Sequence, residues 1–377
     1  MRIALITPYY LPIIGGSELY VHDLALFLHN RGHEVTILTT DVFAPENASL
    51  VFNKKNESVR VIRFKVATYS RKLARLFISM YIPKECIERK IESMNFDILH
   101  FHNLADLTFP VALWRSKCTK LITCHTLFEV TNYHHLAGPR LFYFKKVLKH
   151  VNALHVLSQR DRITLMHLGI RQGIVVIPPG ISVDDFYASP NRRGNKLLFV
   201  GRISPEKGLE TLLYALSQIR SDCELLIVGP IQNRKYYTWL RSEFSKEFKG
   251  GVRMLGALNR DELVEAYANA DVFVFPSRME SFGMVLMEAM ASRLPIVSTN
   301  VGVARELIVE GENGFVVSVN DWRAMARQIE LLLADGNLRR VMGDNNRNLA
   351  EKRFRSEDNF CKLLELYRDI TGLDSCK

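Results

Sequence analysis

The sequence predicts an α/β protein built from two doubly wound parallel-sheet domains. Three observations lead there. Short apolar, β-branched runs alternate with helical patterns from the first residues on. A Pro/Gly-rich and then polar stretch, Pro178 to Asn195, interrupts that alternation near the middle. A second series of strand-like runs begins at Lys196, and 377 residues suffice for two ordinary domains.

The elements follow in order. Ile3–Thr7 is a predicted strand and Pro8 to Gly16 a loop. Ser17 is the expected cap of a helix carrying Leu19, Leu24 and Leu28. Gly32 ends it, and Val35–Thr39 is the next strand. This βαβ opening suits a doubly wound sheet. Gly15-Gly16 lets the backbone approach a phosphate or an acceptor, although a ligand-free tight turn explains the pair equally well. The spacing is not G-x-G-x-x-G, which removes the main support for a nicotinamide site. Further strands are expected at Arg60–Phe64, Asp97–Phe101, Lys120–Thr123, Leu154–Val156 and Ile174–Ile177. His100, His102 and His125 fall at strand ends, where open α/β sheets place ligands. A structural role is favoured for His100. For His102 a structural role and an acceptor contact weigh equally.

In the second half, Lys196–Val200 opens the new sheet. The loop Gly201-Arg202-Ile203-Ser204-Pro205-Glu206-Lys207-Gly208 precedes a helix over Leu209–Ile219. Arg202 offers a planar fork and Lys207 a point charge. Glu224–Val228 and a strand ending at Arg253-Met254-Leu255-Gly256 follow, then a helix Asp261–Ala268. Asp271 to Phe275 is an apolar run that predicts a buried strand, Pro295–Thr299 the next, and Asn313-Gly314-Phe315 a turn before the last. Ser356 opens a final helix with Phe360, Leu363, Leu364 and Tyr367 on one face.

The stretch from Pro276 to Ala289 carries the chemistry. Pro276 and Ser277 stop the strand, and Ser281 is a plausible N-cap for a helix from about Phe282 to Ser292. The N–H groups of Ser281, Phe282 and Gly283 then form a diphosphate site at the helix start. Glu280 lies in the turn and Glu288 about two turns into the helix. Two carboxylates flanking an anion site suit a nucleotide-sugar, with sugar hydroxyls for Glu280 and ribose hydroxyls for Glu288. The bland alternative, ordinary surface acids, explains either Glu alone better than the pair.

Hydrophobic residues make up 47% and charged residues 24%, an ordinary globular balance, and the net charge of +10 suits anionic ligands or surfaces. The basic residues are dispersed rather than gathered on one aromatic-rich surface, which argues against nucleic acid. Six scattered cysteines favour a reducing compartment and no zinc site. No signal peptide and no run approaching about 18 apolar residues is present, so a cytoplasmic protein, peripheral on the inner membrane face at most, is expected.

Glu280 and Glu288 with seven residues between them, enclosing Ser281-Phe282-Gly283 and followed by Ala289-Met290-Ala291, resemble the signature of family 4 retaining glycosyltransferases. Gly201-Arg202 to Glu206-Lys207-Gly208 and the Gly15-Gly16 loop strengthen the resemblance, which extends through most of the chain. It implies a GT-B fold: two Rossmann-like domains with a cleft between them and a C-terminal helix crossing back to the N-domain. The expected divisions are an acceptor domain, 1–187, a donor domain, 188–355, and the returning helix, 356–377. It also implies a UDP- or GDP-sugar donor and no further cofactor. Arg202, Lys207 and the Ser281–Gly283 amides take the diphosphate, Glu288 the ribose, and the backbone near Met254 and Leu255 the base. Glu280 and His125 orient the sugar, and Gly16 and His102 lie toward the acceptor. The family's usual Asp after His125 is Thr126 here, with Glu129 a weak substitute, and Val303 replaces the second of two glycines after Gly302. No Asp-x-Asp stands at a strand end, so no metal is expected.

The acceptor expected is a glycan or lipid, lipid-linked or membrane-associated, with a soluble sugar or polyol as alternative. The membrane reading rests on Ser70–Tyr81 and Leu141–Val151 as amphipathic helices. In the second, Lys145, Lys146 and Lys149 form a basic stripe with Phe142. A solvated helix face explains such a stripe nearly as well. A non-catalytic nucleotide-sugar-binding subunit is the rival of another class. The complete set of Glu280, Glu288, Arg202 and Lys207 argues against it.

Overall fold

A computed structural model describes residues 1–12, 15–41, 59–68, 81–83, 87–102, 117–125, 142, 145–171, 173–192, 194–248 and 250–373. The chain forms two compact units, Met1–Pro179 with Glu357–Lys377, and Gly180–Ser356.

The first unit holds β1 (Arg2–Ile6), β2 (Glu34–Thr40), β3 (Arg60–Phe64), β4 (Val66–Thr68), β5 (Tyr81–Pro83), β6 (Ile98–His102), β7 (Thr119–Cys124), β8 (Ala153–Val156) and β9 (Ile174–Val176). Seven of these form a parallel sheet in the order β3-β2-β1-β6-β7-β8-β9, and β4 pairs antiparallel with β5. Strand alternation divides the residues between two faces. Ala4, Ile6, Leu99, Phe101 and Ile122 pack on one side with Val147 and Leu165. Ile3, Leu5, Ile98 and Leu121 pack on the other, beneath Tyr20, Val21 and Leu24 of the first helix, Gly16–Asn30. Phe360, Leu363, Leu364 and Tyr367 of the C-terminal helix, Ser356–Thr371, complete that face. The helix thus returns to the first unit through the apolar stripe that its sequence displays.

The second unit holds β10 (Lys196–Val200), β11 (Glu224–Val228), β12 (Gly251–Gly256), β13 (Val272–Phe275), β14 (Ile296–Thr299) and β15 (Gly314–Val317). They form a parallel sheet in the order β12-β11-β10-β13-β14-β15. Its core joins Leu197, Phe199, Leu225, Ile227 and Val274 to the helices Leu209–Leu216 and Trp322–Ala334. In both units the strand order reverses beside the first strand. That switch point is where doubly wound sheets hold ligands, beyond the carboxyl ends of the strands.

Several local expectations change. Gly15, not Ser17, stands at the N-cap of the first helix, and the Ser17 hydroxyl donates to Glu18 Oε1 at 3.0 Å. Gly283, with φ of 96°, caps the helix Met284–Ala291 in place of Ser281; the left-handed backbone there delays the helix start. The units divide at 179/180, ahead of the 187/188 expected from the polar linker. Val183 and Phe186 are buried, Phe186 lies against the Tyr267 ring at 5.8 Å, and Arg347 donates to the carbonyls of Val183 and Phe186 at 3.0 and 2.7 Å. Two apolar anchors and a guanidinium hold residues 180–187 to the second unit, so the division falls at the Pro178-Pro179-Gly180 turn rather than at the polar linker. Tyr81 lies in β5 rather than closing a helix, and the rest of the proposed Ser70–Tyr81 helix falls outside the described residues. Among the described residues no helix is long and apolar enough to cross a membrane.

Candidate active site

At the switch point of the second unit, the loop after β10 meets the loop after β13. Lys207 Nζ pairs with Glu280 Oε1, and the Ser277 hydroxyl donates to the same oxygen at 3.0 Å. The two charged side chains are only 12% and 13% exposed, so each depends on the other for its charge to be tolerated. The loops are stitched by Arg278. Its N–H donates to the Glu206 carbonyl at 2.8 Å, its guanidinium to the Pro205 carbonyl at 3.0 Å and Asn320 Oδ1 at 2.8 Å, and it also pairs with Glu210. Gly208 is required between them: φ is 63°, and a Cβ would overlap the Pro276 carbonyl oxygen.

The amides expected to take an anion follow Glu280 directly in the chain. The backbone N–H groups of Phe282 and Gly283 have no partner among the described residues. Ser281 is engaged by another group. The Phe282 ring is buried, and its carbonyl accepts from Val303 N–H at 3.2 Å. Gly302, with φ of 55°, comes so close that a Cβ would overlap that carbonyl. Val303 is buried behind it, so the place of a second glycine is taken by packing. The Arg202 side chain is exposed and makes no hydrogen bond or ion pair among the described residues.

Glu288 faces a separate partner. Tyr267 donates to its Oε2 at 2.8 Å, and Arg260 Nη1 lies 3.8 Å from its Oε1. Burial pushes its carboxyl above the ordinary range against both partners. No hydrogen bond or ion pair among the described residues links Glu288 to the Lys207–Glu280 pair. Met254 and Leu255 are half-buried near the end of β12, an edge strand, and the Met254 side chain packs on the core.

In the first unit, the period of two puts His100 and His102 of β6, Thr123 of β7 and His155 of β8 on the face covered by the C-terminal helix. They form a hydrogen-bonded chain whose direction can be deduced. His155 Nε2 lies 2.8 Å from the Ile177 carbonyl and so carries the hydrogen. Burial pushes His155 down to about 4, leaving it neutral with a bare Nδ1. The Thr123 hydroxyl donates to that Nδ1 at 2.7 Å and accepts from His100 Nε2 at 2.6 Å. His100, held well below the usual range by burial, then accepts from the Tyr367 hydroxyl at Nδ1, 2.6 Å away. The structural role expected for His100 is this link between sheet and C-terminal helix.

His102 and His125 form a second group. Their Nδ1 and Nε2 atoms are 3.0 Å apart, and the rings stack with centroids 5.2 Å apart. Tyr20 meets His125 edge-on at 5.1 Å. Burial holds both imidazoles neutral, His125 down to about 3. Gly16 starts the helix that supplies Tyr20. Glu18, which the sequence reading passed over, is buried there, and burial raises its carboxyl. A Cβ on Gly15 would meet that carboxylate, a flexible side-chain end that could turn aside, so this contact alone does not require glycine there. Thr126 and Glu129 lie outside the described residues.

The fold defines a GT-B protein of two Rossmann-like units, and the second brings Lys207, Glu280 and two unpartnered amides together at its switch point. Solved structures agree on the fold. Sucrose-phosphate synthase from Thermosynechococcus elongatus matches with a TM-score of 0.80 at 23% identity, covering 99% of this chain and 100% of its own. Anabaena HepE in complex with UDP matches with a TM-score of 0.81 at 20% identity, covering 98% and 100%. The chain belongs to the group 1, or family 4, glycosyltransferases. The model for glycosyl transferases group 1 matches residues 184–349, and that for Glycosyltransferase Family 4 matches residues 14–185. A phosphatidyl-myo-inositol mannosyltransferase from Mycolicibacterium smegmatis is 29% identical over 362 residues, 90% of this chain and 86% of the relative. A D-inositol 3-phosphate glycosyltransferase from Corynebacterium glutamicum is 27% identical over 391 residues, 92% and 91% respectively.

Proposed function

We propose that this glycosyltransferase moves a hexosyl or N-acetylhexosaminyl group from a UDP- or GDP-sugar to an acceptor hydroxyl with retention at the anomeric carbon. The observation that carries this reading is the Lys207–Glu280 pair beside the unpartnered amides of Phe282 and Gly283. A diphosphate needs the cation and the amides, and a sugar needs the carboxylate.

Three steps follow for the donor. The diphosphate settles on the helix start and draws Lys207 and Arg202 to it. Glu280, relieved of its partner, takes sugar hydroxyls, and the family resemblance assigns His125 to the sugar as well. Glu288 takes the ribose. As the glycosidic bond breaks, negative charge grows on the departing phosphate, and the two cations stabilise it without a metal. The acceptor hydroxyl attacks from the same face and gives its proton to that phosphate oxygen. Neither carboxylate then acts as a nucleophile, and positioning supplies much of the rate.

For the acceptor we favour a lipid-linked or membrane-associated molecule. Phe142 is 70% exposed next to the exposed Lys145, Lys146 and Lys149, while Val147 on the opposite side is buried. An exposed aromatic among lysines suits anionic headgroups. The mannosyltransferase relative names a lipid acceptor. A soluble acceptor is the second reading, favoured by the inositol 3-phosphate relative. Incubating the protein with UDP- and GDP-sugars, and with phosphatidylinositol vesicles or free polyols, tests both readings. A product with the donor's anomeric configuration supports the reaction; an inverted product refutes it. Sedimentation with anionic vesicles at moderate salt, weakened by Phe142→Ser with Lys145→Glu, supports the membrane acceptor. No sedimentation supports the soluble one.

A further inference from the structure

His102 is buried, and its Nε2 has no hydrogen-bond partner among the described residues. Its other ring nitrogen faces His125 Nε2 at 3.0 Å. Two neutral imidazoles in this contact share one hydrogen, and two arrangements are possible. If His125 Nε2–H donates, the remaining hydrogen of His102 sits on Nε2 as a buried donor without an acceptor. If His102 Nδ1–H donates, its Nε2 is only a bare lone pair. Buried N–H groups without partners are the rarer defect in folded proteins, so the second arrangement is favoured. It has a consequence for His125: with Nε2 accepting, its own hydrogen must stand on Nδ1.

We infer that His102 is a positioning residue that fixes His125 in the Nδ1–H tautomer, so that His125 presents a donor rather than an acceptor to its ligand. The surroundings support a fixed ring. Tyr20 lies edge-on to both imidazoles, at 5.1 Å from His125 and 6.0 Å from His102, and the His100 ring lies 4.0 Å from that of His102. A flip of the His102 ring about χ2 would put Cδ2 in place of Nδ1 and lose the contact with His125. Only the catalytic consequence rests on the reading of His125 as a sugar contact. The tautomer assignment stands on the contact alone.

The test uses the full chain with ¹⁵N-labelled histidine, and His125→Gln to identify the signals of residue 125. Long-range ¹H–¹⁵N spectra report which ring nitrogen is protonated. The expected result is Nδ1–H for His125 in the unaltered protein. His102→Asn keeps that pattern, because an amide N–H can take the place of Nδ1–H. His102→Leu, similar in bulk without a donor, shifts the hydrogen to Nε2 or to a mixture. Nε2–H in the unaltered protein, or an unchanged pattern in His102→Leu, overturns the inference. In glycosyl transfer, His102→Leu is expected to lower kcat about tenfold or more, with the donor KM nearly unchanged and His102→Asn restoring most of the rate. Full activity of His125→Ala alongside the expected spectra would refute the sugar-contact reading and leave the tautomer assignment in place.

Discussion

Glu280 and Lys207 neutralise one another in a nearly buried pocket, so each is defined by what replaces the other when a ligand enters. Glu280→Gln keeps the shape and hydrogen-bonding capacity but removes the charge. It is expected to reduce kcat by about 10²-fold or more, the scale of losing a positioned charge in an active site. Nucleotide affinity, followed by calorimetry, is expected to stay nearly unchanged. Glu288 behaves differently, because its contacts are Tyr267 and Arg260. Glu288→Gln is expected to weaken nucleotide binding about tenfold while leaving turnover at saturating donor less affected. Reversed outcomes in these two variants would exchange the roles assigned to the two acids. Both glutamates were legible in the sequence because their spacing within a strand–turn–helix is distinctive. Their partners were not. Tyr267 looks like any aromatic on a helix, and Arg278 like any loop cation. Only the folded contacts show one steadying Glu288 and the other tying two loops together.

At the scale of elements, the sheets and most helices could be read from apolar runs and turn residues, since burial on a parallel sheet demands both. The errors came at helix starts. Ser17 and Ser281 have the chemistry of caps, but Gly15 takes the first cap position and Gly283, at a φ of 96°, takes the second. Side-chain capping is a local preference, and at position 283 a left-handed turn that favours glycine overrides it. The chain Tyr367–His100–Thr123–His155 lay beyond sequence reasoning altogether, since it joins residues on four separate elements. Its physical weight can be measured. Tyr367→Phe removes one hydroxyl and leaves His100 Nδ1 buried without a donor. A loss of about 1–3 kcal/mol in unfolding free energy is expected, the cost of an unsatisfied buried group. Chemical denaturation measures it. No change would mean that water or another group replaces the hydroxyl without penalty.

Among the described residues, His100, His102, His125 and His155 give the molecule a pH signature. They are all held below the ordinary 6.5 by burial, the last two to about 3 and 4. The unfolded chain binds protons there near 6.5 and the folded chain does not. The stabilisation is therefore complete above about pH 6.5 and is lost as pH falls toward 4. Each imidazole contributes a slope of up to about 1.4 kcal/mol per pH unit in that window. Thermal melts between pH 7.5 and 4.5 should fall steeply, and less steeply in His155→Gln. A flat profile would show that the histidines are not buried as described. The family membership of the chain was evident from Gly201–Gly208 and Pro276–Ala289, which explains why fold and donor chemistry were within reach. The acceptor was not, because no motif in the sequence names it.

The most direct test of the donor site is a calorimetric titration with UDP and GDP, using the unaltered protein, Arg202→Ala and Lys207→Met. One nucleotide is expected to bind without added metal, at least tenfold more tightly than the other, and each substitution to weaken it about tenfold or more. Equal binding to all three proteins, or no binding of either nucleotide to the unaltered one, would contradict a diphosphate site built from two cations and the start of a helix.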